Sequence, residues 1–440
     1  MADTVLVIDA GTSSVKVGLV DREGAVLARS ARRYSYSIPA PHAVELDFET
    51  LWGHAADAIR DLTGAGHAIR AVGLSVLCPG MVPLSGEGAP LRPAIIHMDR
   101  RSVSCARAAL REVGGERFLS AAANLPFPGG ISLTSALWVK KNEPGVYRQT
   151  RFFGHTNTFL AHRLTGMWGM DPSNASFTGM YNTLEASGWN GELIRDLGLE
   201  PERLPPVVGS AAVVGSVLRR AAALTGLREG TPVVMGAADT ACAALGAGVT
   251  EEGDILNSTG TVEVMVLATA HPVPSERYLV RTHAIPGMWL IMNILSAGGE
   301  AVEWVRKTFY REMDSEEFFS AHLPRVIAAK DGGVRMSPYL SGDRTSFTQR
   351  SASYRHVGLG TTRDDFLHAT CRATVEEMKK RFGFYQAGWR LSGRIRSTGG
   401  GSQALMDLKR RSFPGMLWEV IPDAALRGAA RLAWTGYGDP

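Results

Sequence analysis

Val5–Lys16 reads VLVIDAGTSSVK, and the rest of the chain is best understood outward from it. Val5, Leu6, Val7 and Ile8 are β-formers that run into Asp9, then into small residues suited to a tight turn, then into a second β-rich run, Val15–Val20. A hairpin turn made of Gly11, Thr12, Ser13 and Ser14 gathers backbone N–H groups and hydroxyls around one point. Such a turn cradles phosphate oxygens without a large side chain. Asp9, at its mouth, is placed to hold the water shell of a Mg²⁺ ion riding on those phosphates. The same residues also fit an ordinary hairpin whose Asp and Thr satisfy their own turn.

A second copy favours the first of these readings. Ile255–Val264, ILNSTGTVEV, set beneath Ile8–Val17, IDAGTSSVKV, repeats the β run, the small hydroxyl-rich turn and the following β run. Thr12 falls on Thr259, Ser14 on Thr261, and Val15 and Val17 on Val262 and Val264, with Gly260 inside the turn. Asp9 falls on Leu256, so the second copy keeps the turn and lacks the acid. Its place near mid-chain predicts a duplicated domain, with two turns gripping a polyphosphate and the metal held from one side.

Composition excludes several classes of protein. The 440 residues suffice for two domains with a core each, and 45% apolar with 20% charged residues is an ordinary globular balance. Lys and Arg number 47 against 43 acids, a net charge of +4 without any dense basic run, so nucleic acid is not an expected partner. Apolar stretches are too short for a membrane span and no signal peptide is evident, which predicts a cytoplasmic location. Cys78, Cys105, Cys242 and Cys371 are scattered without CxxC or His-paired spacing, as expected of reduced, mostly buried thiols.

Alternating β and α signals run the length of the chain. Helical spacing covers Phe48–Leu62, Ser135–Asn142, His155–Thr165, Gly191–Leu197, Ala238–Gly246, Ala297–Phe309, Arg363–Arg381, Ser402–Arg411 and Ala424–Trp434. Strands are predicted at Ala71–Ser75, Pro93–His97, Thr231–Gly236 and Arg394–Thr398. A boundary near Gly246–Gly253 divides the chain into expected domains 1–246 and 247–440.

Three further stretches carry chemistry. In Val233–Gly248, VVMGAADTACAALGAG, a strand runs into Asp239 at the start of a helix of small residues. Asp239 there is either an N-cap or a general base that takes the proton from a hydroxyl receiving a phosphoryl group. In Ser397–Gln403, STGGGSQ, three glycines let the backbone approach a flat ligand, and the next helix lines a nucleotide site. Pro338–Thr345, PYLSGDRT, reads as loop architecture in which Asp343 and Arg344 form a solvated pair.

Taken in order, these motifs resemble the FGGY family of carbohydrate kinases, from Val5 to about Gly438. The resemblance rests on DAGTSSVKVGLVD, LRPAIIHMDRRS (Leu91–Ser102), LTGMWGMDPSNAS (Leu164–Ser176), LREGTPVVMGAADTACAALGAG (Leu227–Gly248), STGTVEV, SPYLSGDRT and STGGGSQ. It implies an α/β fold of two ribonuclease H-like domains around a central cleft, as in the actin-like ATPase and hexokinase superfamily. It implies Asp239 as catalytic base, Asp9 with Gly11, Thr12, Ser13 and Ser14 serving Mg²⁺ and phosphate, and Thr259, Gly260 and Thr261 as a second phosphate loop. Gly400, Gly401, Ser402 and Gln403 would flank the adenosine of ATP.

Leu77, Cys78, His97, Asp99, Asp239 and Thr240 would surround the sugar. Here the chain departs from the family pattern. Leu77-Cys78-Pro79 stands where Gln-Met-His is common in xylulose-phosphorylating members, His97 where Trp is usual, and Thr240 where Asn or Gln is frequent; the usual Trp beyond the glycine loop is absent. The implied reaction is ATP-dependent phosphorylation of a ketose or polyol, D-xylulose first, with ribulose, glycerol or erythritol as alternatives. A catalytically silent sugar-sensing member of the same fold is the reading from another class. The expected partners are a small-molecule sugar or polyol and a second copy of the chain as a homodimer, with no membrane.

Overall fold

The computed structural model describes residues 3–64, 66–260, 262–296, 298–400 and 403–438. Its first sheet grows from the opening hairpin. Strand β1 (Asp3–Ala10) buries Val5, Leu6, Val7 and Ile8 completely, the mark of a strand covered on both faces. It pairs antiparallel with β2 (Ser14–Val20), Asp9 opposite Lys16 and Ala10 opposite Val15, and β2 pairs antiparallel with β3 (Val26–Arg33). Helix α1 (Phe48–Thr63) is N-capped by Asp47, whose carboxylate accepts from the Glu49 N–H. Its apolar stripe of Phe48, Leu51, Ala55, Ile59 and Leu62 packs into the same core as Leu6, Ile8, Val15 and Val17. Strand β4 (Ala68–Val76) then lies parallel to β1; later come β5 (Val213–Ser216) and β6 (Pro232–Ala238), which completes the order β3-β2-β1-β4-β6-β5. Thr156–Thr165, packed on β4 and β6, forms α2, closed by left-handed Gly166 as the sequence predicts.

The second sheet repeats this plan. Strands β7 (Ile255–Thr259) and β8 (Glu263–Thr269) form an antiparallel hairpin, followed by β9 (Trp289–Leu295), β10 (Arg394–Gly399) and β11 (Leu417–Val420). Their order is β9-β8-β7-β10-β11, with β10 parallel to β7 and β11 parallel to β10. Counted among these five strands alone, this reads third, second, first, fourth, fifth, as β3-β2-β1-β4-β6 does; the sheet's sixth strand, Leu279–Thr282, stands outside that repeat, and the fold is mixed α/β. Helices α4 (Gly299–Phe309) and α5 (Arg363–Gly388) bring Val302, Val305, Leu367 and Cys371 into a cluster with Tyr310, Phe318 and Leu323. The intervening number, α3, belongs to Asp239–Gly246; α6 is Gln403–Ser412 and α7 is Ala424–Tyr437.

The repeat holds in topology, but its register is displaced by two residues from the string comparison. Ala10 ends β1 opposite Val76 of β4, and Thr259 ends β7 opposite Gly399 of β10. Thr259 is therefore the counterpart of Ala10, Ser258 of Asp9, and Gly260 of Gly11. A shift of two leaves every strand residue on its own face, so alternation in the sequence does not distinguish the two alignments.

Packing divides the chain into two compact units. One comprises Met1–Thr250, Ala270–Leu290 and Asp423–Pro440, the other Glu251–Thr269 and Ile291–Pro422. The division is thus discontinuous in sequence, unlike a cut between 246 and 247. Helix α7 is the reason it joins the first unit: it crosses α3 where Gly246 and Gly428 let the two backbones touch. A Cβ on Gly246 would lie 1.9 Å from the Ala424 carbonyl oxygen, and one on Gly428 would lie 1.8 Å from that of Cys242. Among the described residues no helix is long and apolar enough to cross a membrane, and all four cysteines are buried free thiols.

Candidate active site

The first turn is braced from behind. The Gly11 N–H donates to the Ser14 carbonyl (2.9 Å), the Tyr34 N–H to the Ser13 carbonyl (3.1 Å), and the Tyr34 phenol to the Gly11 carbonyl (2.6 Å). The hydroxyls of Thr12, Ser13 and Ser14 are at least partly exposed and donate to no other group among the described residues. Lys16, across the register from Asp9, is exposed and adds positive charge at the same edge.

Asp9 and Asp239 are mounted at the carboxyl end of one sheet. Asp9 pairs with Ser75 of β4, and Ser75 with Ala237 of β6, so three strands carry one row of residues. Neighbouring strands run about 4.8 Å apart, which puts the Asp9 and Ala237 backbones roughly 10 Å from each other. The Ser75 hydroxyl donates to Asp9 Oδ1 at 2.7 Å. Asp9 retains some exposed surface, yet the surrounding protein pushes its carboxyl up to about 6, chiefly by desolvation. Lys16 and Ser75 oppose the rise, and the negative charges of Asp239 and Asp423 add to it.

Strand β6 reaches Asp239 through a bulge. Its register against β4 shifts between Val234 and Ala237, and Gly236 there has φ +67°, a conformation suited to glycine. The sequence reading ended the strand at Gly236; the structure carries it to Ala238. Asp239 is then the first residue of α3 and Ala238 is the N-cap, without a side-chain cap bond. Asp239 Oδ1 accepts from the Thr240 N–H (2.6 Å) and the Thr240 hydroxyl (3.0 Å). The residue is thus not the helix cap that its position in the sequence also suggested.

Behind α3 lies a buried polar network that sequence reading missed. Arg281, fully buried on the strand Leu279–Thr282, donates through Nη1 to the Thr240 hydroxyl at 2.9 Å, with its guanidinium carbon 3.8 Å over the Phe177 ring. Asp171 accepts from the Ser173 N–H and hydroxyl (2.8 and 2.5 Å), from Asn174 (2.6 Å) and from Asn157 (2.9 Å). Burial raises the Asp171 pKa, against those bonds and the Arg281 charge. The Ser173 hydroxyl in turn accepts from the Ala238 N–H (3.0 Å), so the residue before Asp239 is anchored to this network. His155 joins Asn174 (3.2 Å) to Ser132 (2.9 Å) and lies 3.8 Å from Cys78 Sγ; burial holds its pKa down to about 4. A lone arginine in the apolar run YLVRTHAIP was the available signal.

The remaining sugar candidates are all buried. Leu77 continues β4, its N–H donating to the Ala10 carbonyl (2.7 Å), and Cys78 follows. His97 follows the strand Ala94–Ile96 of a small sheet that also contains Gly80–Leu84. Asp99 has no exposed surface: Oδ2 accepts from the Val44 N–H (2.6 Å) and Arg101 Nε (2.8 Å), and Oδ1 from the Arg101 N–H (2.9 Å). These bonds make it an anchor of its loop.

In the second unit, the Gly260 N–H donates to the Val262 carbonyl (3.0 Å) across the shorter turn. Thr259 is buried, its hydroxyl bonded to Lys409 Nζ at 2.6 Å. Gly400 and Gln403 are exposed, and Gln403 donates to Asp407 of α6 at 2.9 Å. Thr261, Gly401 and Ser402 lie outside the described residues. Asp343 and Arg344, expected as a solvated pair, are both buried; Asp343 instead accepts from Thr345 and faces Arg350 at 3.4 Å. Among the described residues no three His, Cys, Asp or Glu side chains group to hold a metal. The Asp9 carboxylate beside a turn of hydroxyls nonetheless suits Mg²⁺, which takes few protein ligands and keeps water for the rest.

Comparison with known proteins places the chain in a family. Residues 4–246 match the FGGY family of carbohydrate kinases, N-terminal domain. The chain is 28% identical over 408 residues to the xylulose kinase of Bacillus subtilis (strain 168), covering 91% of this chain and 81% of that one. It is 32% identical over 348 residues to the autoinducer-2 kinase of Enterobacter sp. (strain 638), covering 74% and 65%. The crystal structure of xylulose kinase from Rhodospirillum rubrum superposes with a TM-score of 0.85 at 26% identity, covering 99% of this chain and 90% of that one. With a matched region spanning more than half its length, the chain belongs to the FGGY family of carbohydrate kinases, phosphotransferases of the actin-like ATPase fold.

Proposed function

We propose that the protein transfers the γ-phosphoryl group of ATP to a hydroxyl of a ketose, with D-xylulose the first acceptor to test. The observation that carries this reading is the mounting of Asp9 and Asp239 at one end of one sheet, beside a turn of unengaged hydroxyls. Asp239 takes the proton of the acceptor hydroxyl as its oxygen bonds to the γ-phosphorus and the bond to the β-phosphate oxygen breaks, releasing ADP. The hydroxyls of Thr12, Ser13 and Ser14, with Lys16, hold phosphate oxygens. Asp9 is the residue that would hold Mg²⁺, largely through water; the ion, when bound, neutralises phosphate charge. The turn at Gly260 and the loop at Gly400 are assigned to nucleotide binding.

Likeness to xylulose kinases over most of the chain supports a ketose acceptor, and the autoinducer-2 kinase relative marks how far acceptors range within the family. The test is ADP release with ATP and Mg²⁺ over D-xylulose, D-ribulose, glycerol and erythritol. Fastest turnover on D-xylulose is expected. A polyol outrunning both ketoses would displace the ketose assignment, and no turnover on any of the four would displace the kinase reading of this site.

A further inference from the structure

We infer that Arg281 is a positioning residue for phosphoryl transfer, acting through the Thr240 hydroxyl to hold the Asp239 carboxylate. This rests on the reading of Asp239 as the base. The observations form a continuous chain: Arg281 Nη1 donates to Thr240 Oγ1 (2.9 Å), and Thr240 Oγ1 donates to Asp239 Oδ1 (3.0 Å). Because the Thr240 N–H also donates to Oδ1 (2.6 Å), that oxygen is gripped twice by one residue. The hydroxyl has a single proton, so accepting from a guanidinium directs that proton to the carboxylate and polarises the bond.

A fully buried arginine is expensive to keep without a close carboxylate. Among the described residues Arg281 forms no ion pair, and its Nε and Nη2 make no hydrogen bond. The hydrogen bond it makes among the described residues leads to Thr240, which makes a purely structural role for the charge a poor explanation. Desolvation is offset instead by the Phe177 ring beneath it and by the field of buried Asp171. The geometry orients the base before substrate arrives, and a carboxylate held by charge-assisted bonds loses little orientational freedom in the reaction.

The test is a double-mutant cycle of Arg281→Met and Thr240→Val, assayed on whichever of D-xylulose, D-ribulose, glycerol and erythritol the parent turns over fastest. Either substitution should lower kcat by about ten-fold or more while acceptor KM moves by less than about three-fold. The double variant should be no slower than Thr240→Val alone, since both remove one relay. Thr240→Ser, which keeps the hydroxyl, should restore kcat to within about three-fold. Should Arg281→Met fail to fold in a thermal melt, the Thr240→Val and Thr240→Ser pair decides, together with Arg281→Lys.

Multiplicative losses in the double variant, or an effect on KM alone, would overturn the relay. Asp239→Asn in the same assay separates the two claims. Turnover near normal would remove the base assignment and the relay with it, whereas an inactive Asp239→Asn beside a multiplicative cycle removes only the relay.

Discussion

Lys409 Nζ lies 2.6 Å from Glu263 Oε1 in the interior of the second unit, with both side chains at most 3% exposed. The same ammonium donates to Thr259 (2.6 Å) and Asn257 (3.1 Å), using its three protons on three partners. One bond set therefore fastens α6, which follows the glycine loop, to the β7–β8 hairpin.

Lys409→Met should destabilise the protein by roughly 3–5 kcal/mol, because it leaves Glu263 charged and unpaired in the interior. Adding Glu263→Gln should recover most of that loss. Urea melts of the single and double variants check this; a double variant as unstable as the single one would deny the pair its role.

Asp239→Asn should reduce kcat by about 10²–10⁴-fold, with ATP affinity by calorimetry nearly unchanged. The amide preserves size and fold but cannot take the acceptor proton. Near-normal turnover would return Asp239 to a structural role.

Asp9→Asn should stabilise the unliganded protein at neutral pH while impairing turnover. The folded carboxyl titrates at about 6, above its ordinary 3.8, so between those values the folded chain binds more protons than the unfolded one. Stability then falls as pH rises through that window, and the deficit is fully present above it. The melting temperature of the variant should exceed the parent's at pH 7.5, and the two curves should converge toward pH 4. A constant difference across pH would contradict the assignment.

His155 works in the opposite direction. Its folded pKa of about 4 lies below the ordinary 6.5, so the unfolded chain binds more protons between them and stability falls as pH drops through that range. His155→Gln should melt lower than the parent at pH 7, having lost the bonds to Ser132 and Asn174. Its decline between pH 6.5 and 4.5 should nevertheless be shallower, because one titrating group is gone.

Local rules made much of this molecule legible. Periodicity and punctuation placed α1, α2, α3 and α7 within a few residues, since caps such as Asp47 and stops such as Gly166 act over a single turn. The opening turn and Asp239 were visible because small residues after a β run have few other uses. Partners far apart in the chain were not visible. Arg281 meets Thr240 across 41 residues and Lys409 meets Glu263 across 146, and no local pattern encodes either meeting. The two-residue register displacement escaped for another reason: strand alternation repeats every two residues and is blind to it.

The crossing of α3 and α7 at Gly246 and Gly428 joins two stretches that lie far apart in the chain. Helix α3 begins at Asp239, but the surface that seats it, with Leu426, Ala429 and Ala430 buried in α7, comes from a distant, later stretch of the chain. Trp434 on that helix also reaches back to the Asp21 carbonyl beside the opening hairpin (3.0 Å). A chain cut after Thr250 would keep Asp9, the opening turn and Asp239, but α3 would present to water the face that α7 covers. The placement of Asp239 is thereby a non-local property, since it depends on a helix made well after α3.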